Sequence, residues 1–385
     1  MRYWILFLLL PNLLWASSPQ LSPKLQPSLQ LLNNGQILEA LSALNEMDET
    51  DVDVTQYLFL KAMTKFKIAW LSTYSQQDLK DIEDLLDKIQ DRTLPKIEED
   101  NEARFFYAAS IGLRAQISAT EGDWWQTAKL GKQMKNEATV IIEKDPDYYP
   151  AYYLLGSYNY FADALPGYLK FLRLLVFLPG GDRKEGLKQL TLSYEKGGIV
   201  EDEAGRTLAI IYTYYEQDFE QGKEMTEKIL DRYPLSYDTA LYKGIDLYFS
   251  KQWEDAVQWF EKLRSELVEY SARNESPDEV VPVYRPMENE IRYWIARTKI
   301  QQGKTAEARE ILMELANPPV RQPYWLLRGV YLSLAQLDYL SNEEGRANGY
   351  VYRVLSWQDA KDAHEKAKKL RKKKGKVETF DIDLL

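Results

Sequence analysis

At 385 residues the chain is long enough for two or three ordinary domains or one extended array, and 45% of it is hydrophobic, so a large core is available. It has no cysteine and one histidine, His364, which excludes thiol nucleophiles, disulfides, zinc fingers and histidine-dependent triads. A net charge of −10 argues against broad nucleic-acid binding.

The chain opens MRYWILFLLLPNLLWASS. Arg2 supplies positive charge, Tyr3 to Trp15 form an apolar run broken at Pro11 and Asn12, and Ala16, Ser17 and Ser18 offer a small-residue cleavage region. That order predicts a signal peptide over residues 1–18, and hence an exported protein, periplasmic or envelope-associated and soluble once cleaved. The run is short for a bilayer span, which needs about 20 apolar residues. An uncleaved anchor or a buried N-terminal helix is the alternative.

Residues 19–148 read as N-terminal helical repeats. NNGQILEALSALNEM (Asn33 to Met47) has the pattern of a second repeat helix centred on Ala40. A longer pair runs from Glu102 to Lys144, with a turn at Glu121-Gly122-Asp123 and a stop at Pro146. Central units occupy residues 149–263. Tyr152, Leu155 and Gly156 resemble the opening of a tetratricopeptide repeat, and Gly186 takes the small position of the second helix. Gly222 stands thirty-four residues before Ala256, which Gly244 precedes by twelve and Phe260 follows by four. A small side chain at such points lets paired helices approach, and the aromatic fills the space beside them. C-terminal repeats follow over residues 289–365: Ala296, Gly303, Ala308 and Leu312 keep the spacing up to Pro318-Pro319, a helix runs from Pro323 to Leu340, and another begins near Trp357. The expected fold is all-α, a tetratricopeptide-like right-handed superhelical solenoid of antiparallel helix pairs carrying an apolar helical insertion.

Two insertions interrupt the repeats. Residues 163–180 are strongly apolar, with Leu169, Phe171, Leu172, Leu175 and Phe177 as their surface and Pro166 and Pro179 as brackets. Left in water this surface would be costly, at about 25 cal/mol per Å². It either packs along the solenoid or meets a partner or a membrane interface. Residues 264–288 hold prolines and charges and read as a surface loop. The stretch LGSYNYFADALPGYLKFLRLLVFLPGGDRKEGLKQL, with Gly181-Asp182-Arg183 and then Gly186-Leu187, resembles the eukaryotic inclusion-body-clearance and lipid-droplet-associated tetratricopeptide proteins. The likeness covers about residues 149–260 and implies the repeat fold and an adaptor-like role without catalysis. The export signal departs from that family, so a cytosolic role does not carry over. Read on their own, Asp182 caps the following helix and Arg183 pairs with Asp163 or a backbone carbonyl.

In the repeat architecture the concave rows of the first helices fall on Tyr153, Ser157, Tyr160 and Phe161; Thr207, Ile211, Tyr214 and Tyr215; and Leu241, Ile245, Tyr248 and Phe249, with Tyr293 and Arg297 from a later unit. Such a tyrosine-rich groove offers contact area and hydroxyls to a peptide or protein. The alternatives are packing between helices, or a carbohydrate or lipid. No calcium loop, nucleophile elbow, phosphate-binding loop or paired glycosidase carboxylates stand out, so no catalytic residue, metal or cofactor is expected. Residues 366–385 form a basic then acidic tail, from Lys366–Lys376 to FDIDLL. Its cations either complement a helix end or contact anionic lipid or an acidic partner. The reading is a non-enzymatic exported scaffold for a protein or peptide partner in an envelope assembly, with contact to a membrane through insertion or tail left open. The alternative is a transporter-associated accessory enclosing an apolar or lipid-like ligand.

Overall fold

The computed structural model describes residues 20–71, 76–164, 180–274, 283–317, 324–357 and 363–373. The expected signal peptide (residues 1–18), the insertion residues Leu169, Phe171, Leu172, Leu175 and Phe177, and the acidic tail end lie outside them. Among the described residues there is no strand. Helices follow one another in pairs: α1 (Gln26–Asn33) and α2 (Ile37–Glu46), α3 (Val54–Leu71) and α4 (Gln76–Thr93), α5 (Asn101–Glu121) and α6 (Trp124–Lys144), α7 (Pro150–Ala164) and α8 (Arg183–Lys196). Then come α9 (Glu201–Ile210) and α10 (Phe219–Arg232), α11 (Tyr237–Phe249) and α12 (Trp253–Asn274), α13 (Arg285–Gln301) and α14 (Thr305–Ala316), and α15 (Tyr324–Leu340) and α16 (Glu344–Leu355). A single helix, α17 (Ala363–Lys373), follows. Each helix packs mainly on its neighbours in sequence, and first helices of adjacent pairs also touch, α9 on α11, α11 on α13 and α13 on α15. That order is a helical solenoid. Its coil returns on itself, because α3 also meets α13.

Local chemistry sets the boundaries. Asp100, Asp123, Asp182 and Asp218 each accept a hydrogen bond from a backbone N–H of the helix they precede, worth about 1 kcal/mol apiece. Gly122 closes α5 at φ 80°, a left-handed conformation that glycine adopts without strain. Inside the pairs, the small residues mark close approaches. A Cβ on Gly186 would stand 2.6 Å from the Tyr160 nitrogen, and one on Gly244 would stand 2.3 Å from the Phe260 ring. Ala256 and Ala308 are fully buried.

Three expectations need correcting. Residues 264–274, expected as loop, continue α12, because Phe260, Leu263, Leu267 and Tyr270 extend its buried stripe by helical spacing. Residues 366–373, expected as tail, belong to α17, whose Ala363, Ala367 and Leu370 are buried. Of the two partners expected for Arg183, the structure has a backbone carbonyl, that of Tyr215 at 3.4 Å, and not Asp163: its Nε lies 2.8 Å from Glu216, and its guanidinium also donates to the Tyr160 hydroxyl at 3.1 Å. The helices α3, α4 and α16 fall inside the spans read as helical repeats, residues 19–148 and 289–365, where the sequence reading marks no individual boundaries for them.

Candidate functional site

The expected groove divides in two. Tyr160, Leu241, Tyr248, Tyr293 and Arg297 are buried and line no open surface. Adjacent units pack too closely to leave their row free. The Tyr248 ring meets Trp294 edge-on at 5.2 Å, and Arg297 donates to the Tyr248 hydroxyl at 3.0 Å. Ile211 and Ile245 are sealed in the same way. Tyr160 is enclosed by Phe161 and Tyr215, both partly buried, and its hydroxyl donates to Glu216 at 2.6 Å. Phe249 is partly exposed but stacks on Phe219 at 5.2 Å.

A different set stays accessible. Tyr153 on α7, Tyr214 beyond α9 and Tyr242 on α11 are each partly exposed, and the rings of Tyr214 and Tyr242 meet edge-on at 5.8 Å. Around them stand Glu203 and Arg206 of α9, Asp238 of α11, Glu290 of α13 and Lys67 of α3. Five first helices therefore supply one cluster. Lys67 lies 2.9 Å from Asp238, and Arg206 lies 3.1 Å from Glu203. Residues Ile211–Glu216 form a π-helical turn that ends at Gln217, φ 53°. The extra residue in that turn shifts the register, which brings Tyr214 beside Tyr242.

Two ion pairs, Lys67–Asp238 and Arg206–Glu203, hold four of these five charges. Burial pushes the Asp238 carboxyl up, but Lys67 and Arg206 beside it prevail and keep it well below the usual carboxylate range. Burial opposes the charge on Arg206, yet Glu203, Asp238 and Asp202 raise its pKa. Burial raises the Tyr214 and Tyr242 hydroxyls, and the carboxylates nearby push the same way. Both therefore remain protonated, able to donate as well as accept. Tyr153 is raised by burial and by Glu203, with Thr207 and Arg206 acting against. The result is a half-buried surface of aromatic faces, hydroxyls and paired ions, suited to holding a chain by hydrogen bonds and contact area.

The repeat pattern pointed to Tyr153, Tyr214 and Thr207 but missed Lys67, Glu203, Arg206, Asp238, Tyr242 and Glu290. Tyr242 sits one residue past the row in which Leu241 falls, and Lys67 comes from a pair with no repeat landmarks. Elsewhere an open, mainly acidic concavity of about 390 Å³ is lined by Glu98, Glu99, Asp100, Asn101, Glu102, Lys144, Asp145 and Tyr148. Among the described residues, no three His, Cys, Asp or Glu are placed to hold a metal ion, and no helix is long and apolar enough to cross a membrane.

The profile of the tetratricopeptide repeat family matches residues 208–236, from the end of α9 through α10 to the entry of α11. A search of curated proteins gave no match. Two solved structures are similar: a Rap protein complexed with competence and sporulation factor, and NprR in complex with its cognate peptide NprX. The first is 11% identical over 91% of this chain and 90% of its own, with a TM-score of 0.46. The second is 15% identical over 94% and 95%, with a TM-score of 0.42. From the order of its helix pairs and the repeat at residues 208–236, the chain is a tetratricopeptide-like helical solenoid.

Proposed function

We propose that this protein is a non-catalytic scaffold that holds a peptide or protein partner against the inner cluster around Tyr153, Tyr214 and Tyr242. The observation that carries the reading is the convergence of five first helices on partly exposed tyrosines and balanced ion pairs. Because Lys67 is paired with Asp238 and Arg206 with Glu203, the partner is held chiefly by its backbone amides and by aromatic or planar side chains. The apolar run at residues 3–15 supports action after export, in the cell envelope. The polar lining of the cluster favours a peptide over an apolar or lipid-like ligand.

A displayed library of random peptides, panned on the purified protein, tests this. Wild type should enrich a defined set. Tyr214→Ala/Tyr242→Ala should bind that set at least about tenfold more weakly, a loss of about 1.4 kcal/mol, with unchanged helical circular dichroism. Equal binding by the two proteins would remove the inner cluster as the site.

A further inference from the structure

We propose that the turn between α1 and α2 is a latch: polar contacts from this turn close the coil beside the inner cluster, and its release widens the access of a partner to the partly exposed tyrosines there. The partner half of this rests on the function proposed above; the latch itself does not.

The turn Asn33-Asn34-Gly35 lies against residues 169 to 249 positions further along the chain. Asn33 Nδ2 donates to Asp202 at 2.9 Å, and its Oδ1 accepts from Arg206 at 2.6 Å. The Leu235 backbone N–H donates to Asn34 Oδ1 at 3.0 Å, and the Tyr284 hydroxyl donates to the Gly35 carbonyl at 3.0 Å. Gly35 has φ 80°, and a Cβ there would stand 2.2 Å from the Leu235 carbonyl oxygen. Only a bare backbone in that left-handed conformation seats against the rim. Further along, the Tyr270 hydroxyl donates to Glu39.

The chemistry of the two sides of this hairpin differs. Its apolar side chains, Leu32, Ile37, Ala40 and Leu44, are buried, and α2 packs on α1 and α3. The tip contacts the distant rim through hydrogen bonds, the neutral ones worth a net of about 0.5–1.5 kcal/mol each and the two between Asn33 and the charged Asp202 and Arg206 about 1.5–3 kcal/mol each. An interface of this kind is specific in geometry and releasable in energy. It is also coupled to the inner cluster. Arg206 is held by Asn33, and Asp238 is held by Lys67 on α3, the helix that continues from the hairpin. Two of the charged groups that stand between the tyrosines are thus tied to the N-terminal pairs, so release of the latch loosens the surface that a partner meets.

Two variants of the full protein test the latch. Gly35→Val adds bulk where the rim leaves no space, and Asn33→Ala withdraws two bonds without adding any. Hydrogen exchange over residues 26–46 and 233–239 should rise by about tenfold in both, while residues 101–144 stay within about twofold. Hydroxyl-radical labelling of Tyr214 and Tyr242 should speed up by about threefold or more, and panned peptides should bind about tenfold tighter. Faster exchange in all segments together would show the hairpin to be indispensable core and overturn the latch. Local release without faster labelling of Tyr214 and Tyr242 would overturn it equally. If wild type enriched no peptide while labelling still rose, the peptide reading would fail and the latch would stand.

Discussion

Tyrosines on the inner rows of neighbouring units meet opposite fates. Around Tyr153, Tyr214 and Tyr242 the rings remain partly exposed and ion pairs lie between them. Further along α11 and on α13, Tyr248 and Tyr293 close over Arg297 and Trp294 with at most 5% of their surface exposed. The difference comes from what stands opposite. In the sealed region Trp294, fully aromatic and 2% exposed, fills the space between α11 and α13. In the open region short or charged side chains, Thr207, Glu203 and Asp238, stand in place of such an aromatic, and the rings keep part of their surface exposed. Residue type alone does not distinguish a binding surface from a core in a solenoid; the volume of the facing residue does.

This contrast can be broken most forcefully at Trp294. Trp294→Ala should cost about 3–5 kcal/mol in urea unfolding, since it empties a packed aromatic site, whereas Tyr242→Ala on the open face should cost far less. Equal losses would erase the distinction between the two regions.

A smaller effect is expected at Asp246, on the same helix as both regions. Its carboxyl is buried with Gly222 and Thr213 alongside, and burial pushes its pKa up to about 8, with the Thr213 hydroxyl acting the other way. The folded chain then binds a proton that the unfolded chain, titrating near the ordinary value of about 3.9, has released. The contribution of Asp246 to stability should be fully present below that lower value, fall as pH rises, and level off above about 8. Asp246→Asn should flatten the fall and gain a few kcal/mol, roughly, at pH 8. A thermal melt series from pH 5 to 9 measures it; parallel curves for the two proteins would show that the buried carboxyl is not proton-linked to folding.

The smallest effect belongs to Asp182, which accepts from the Glu185 N–H at 3.0 Å. Asp182→Ala should cost about 1 kcal/mol in denaturant unfolding without changing peptide binding. A change in binding with unaltered stability would instead connect this cap to the inner face.

Much of the architecture is legible in the residues. Gly156, Gly186, Gly244 and Ala256 fall where helices touch, and Asp123 and Asp182 stand where helices begin. The candidate site is less legible, for two reasons. The π-helical turn at Ile211–Glu216 adds a residue that a fixed repeat cannot anticipate, so Tyr242 rather than Leu241 reaches the open face. The second is that Lys67, Asn33 and Gly35 enter by the return of the coil, a contact between segments some two hundred residues apart. Local periodicity carries no information on such a closure.

The helix α17 has a consequence for how the protein behaves in company. A stack of helix pairs that stopped at α16 would present a bare apolar flank, and a second copy could add to it end to end. Ala363, Ala367 and Leu370 cover that flank, while Lys368, Lys369, Arg371, Lys372 and Lys373 turn outward. Like charges on the outer face of α17 oppose the end-to-end addition of a second copy on this helix at low ionic strength.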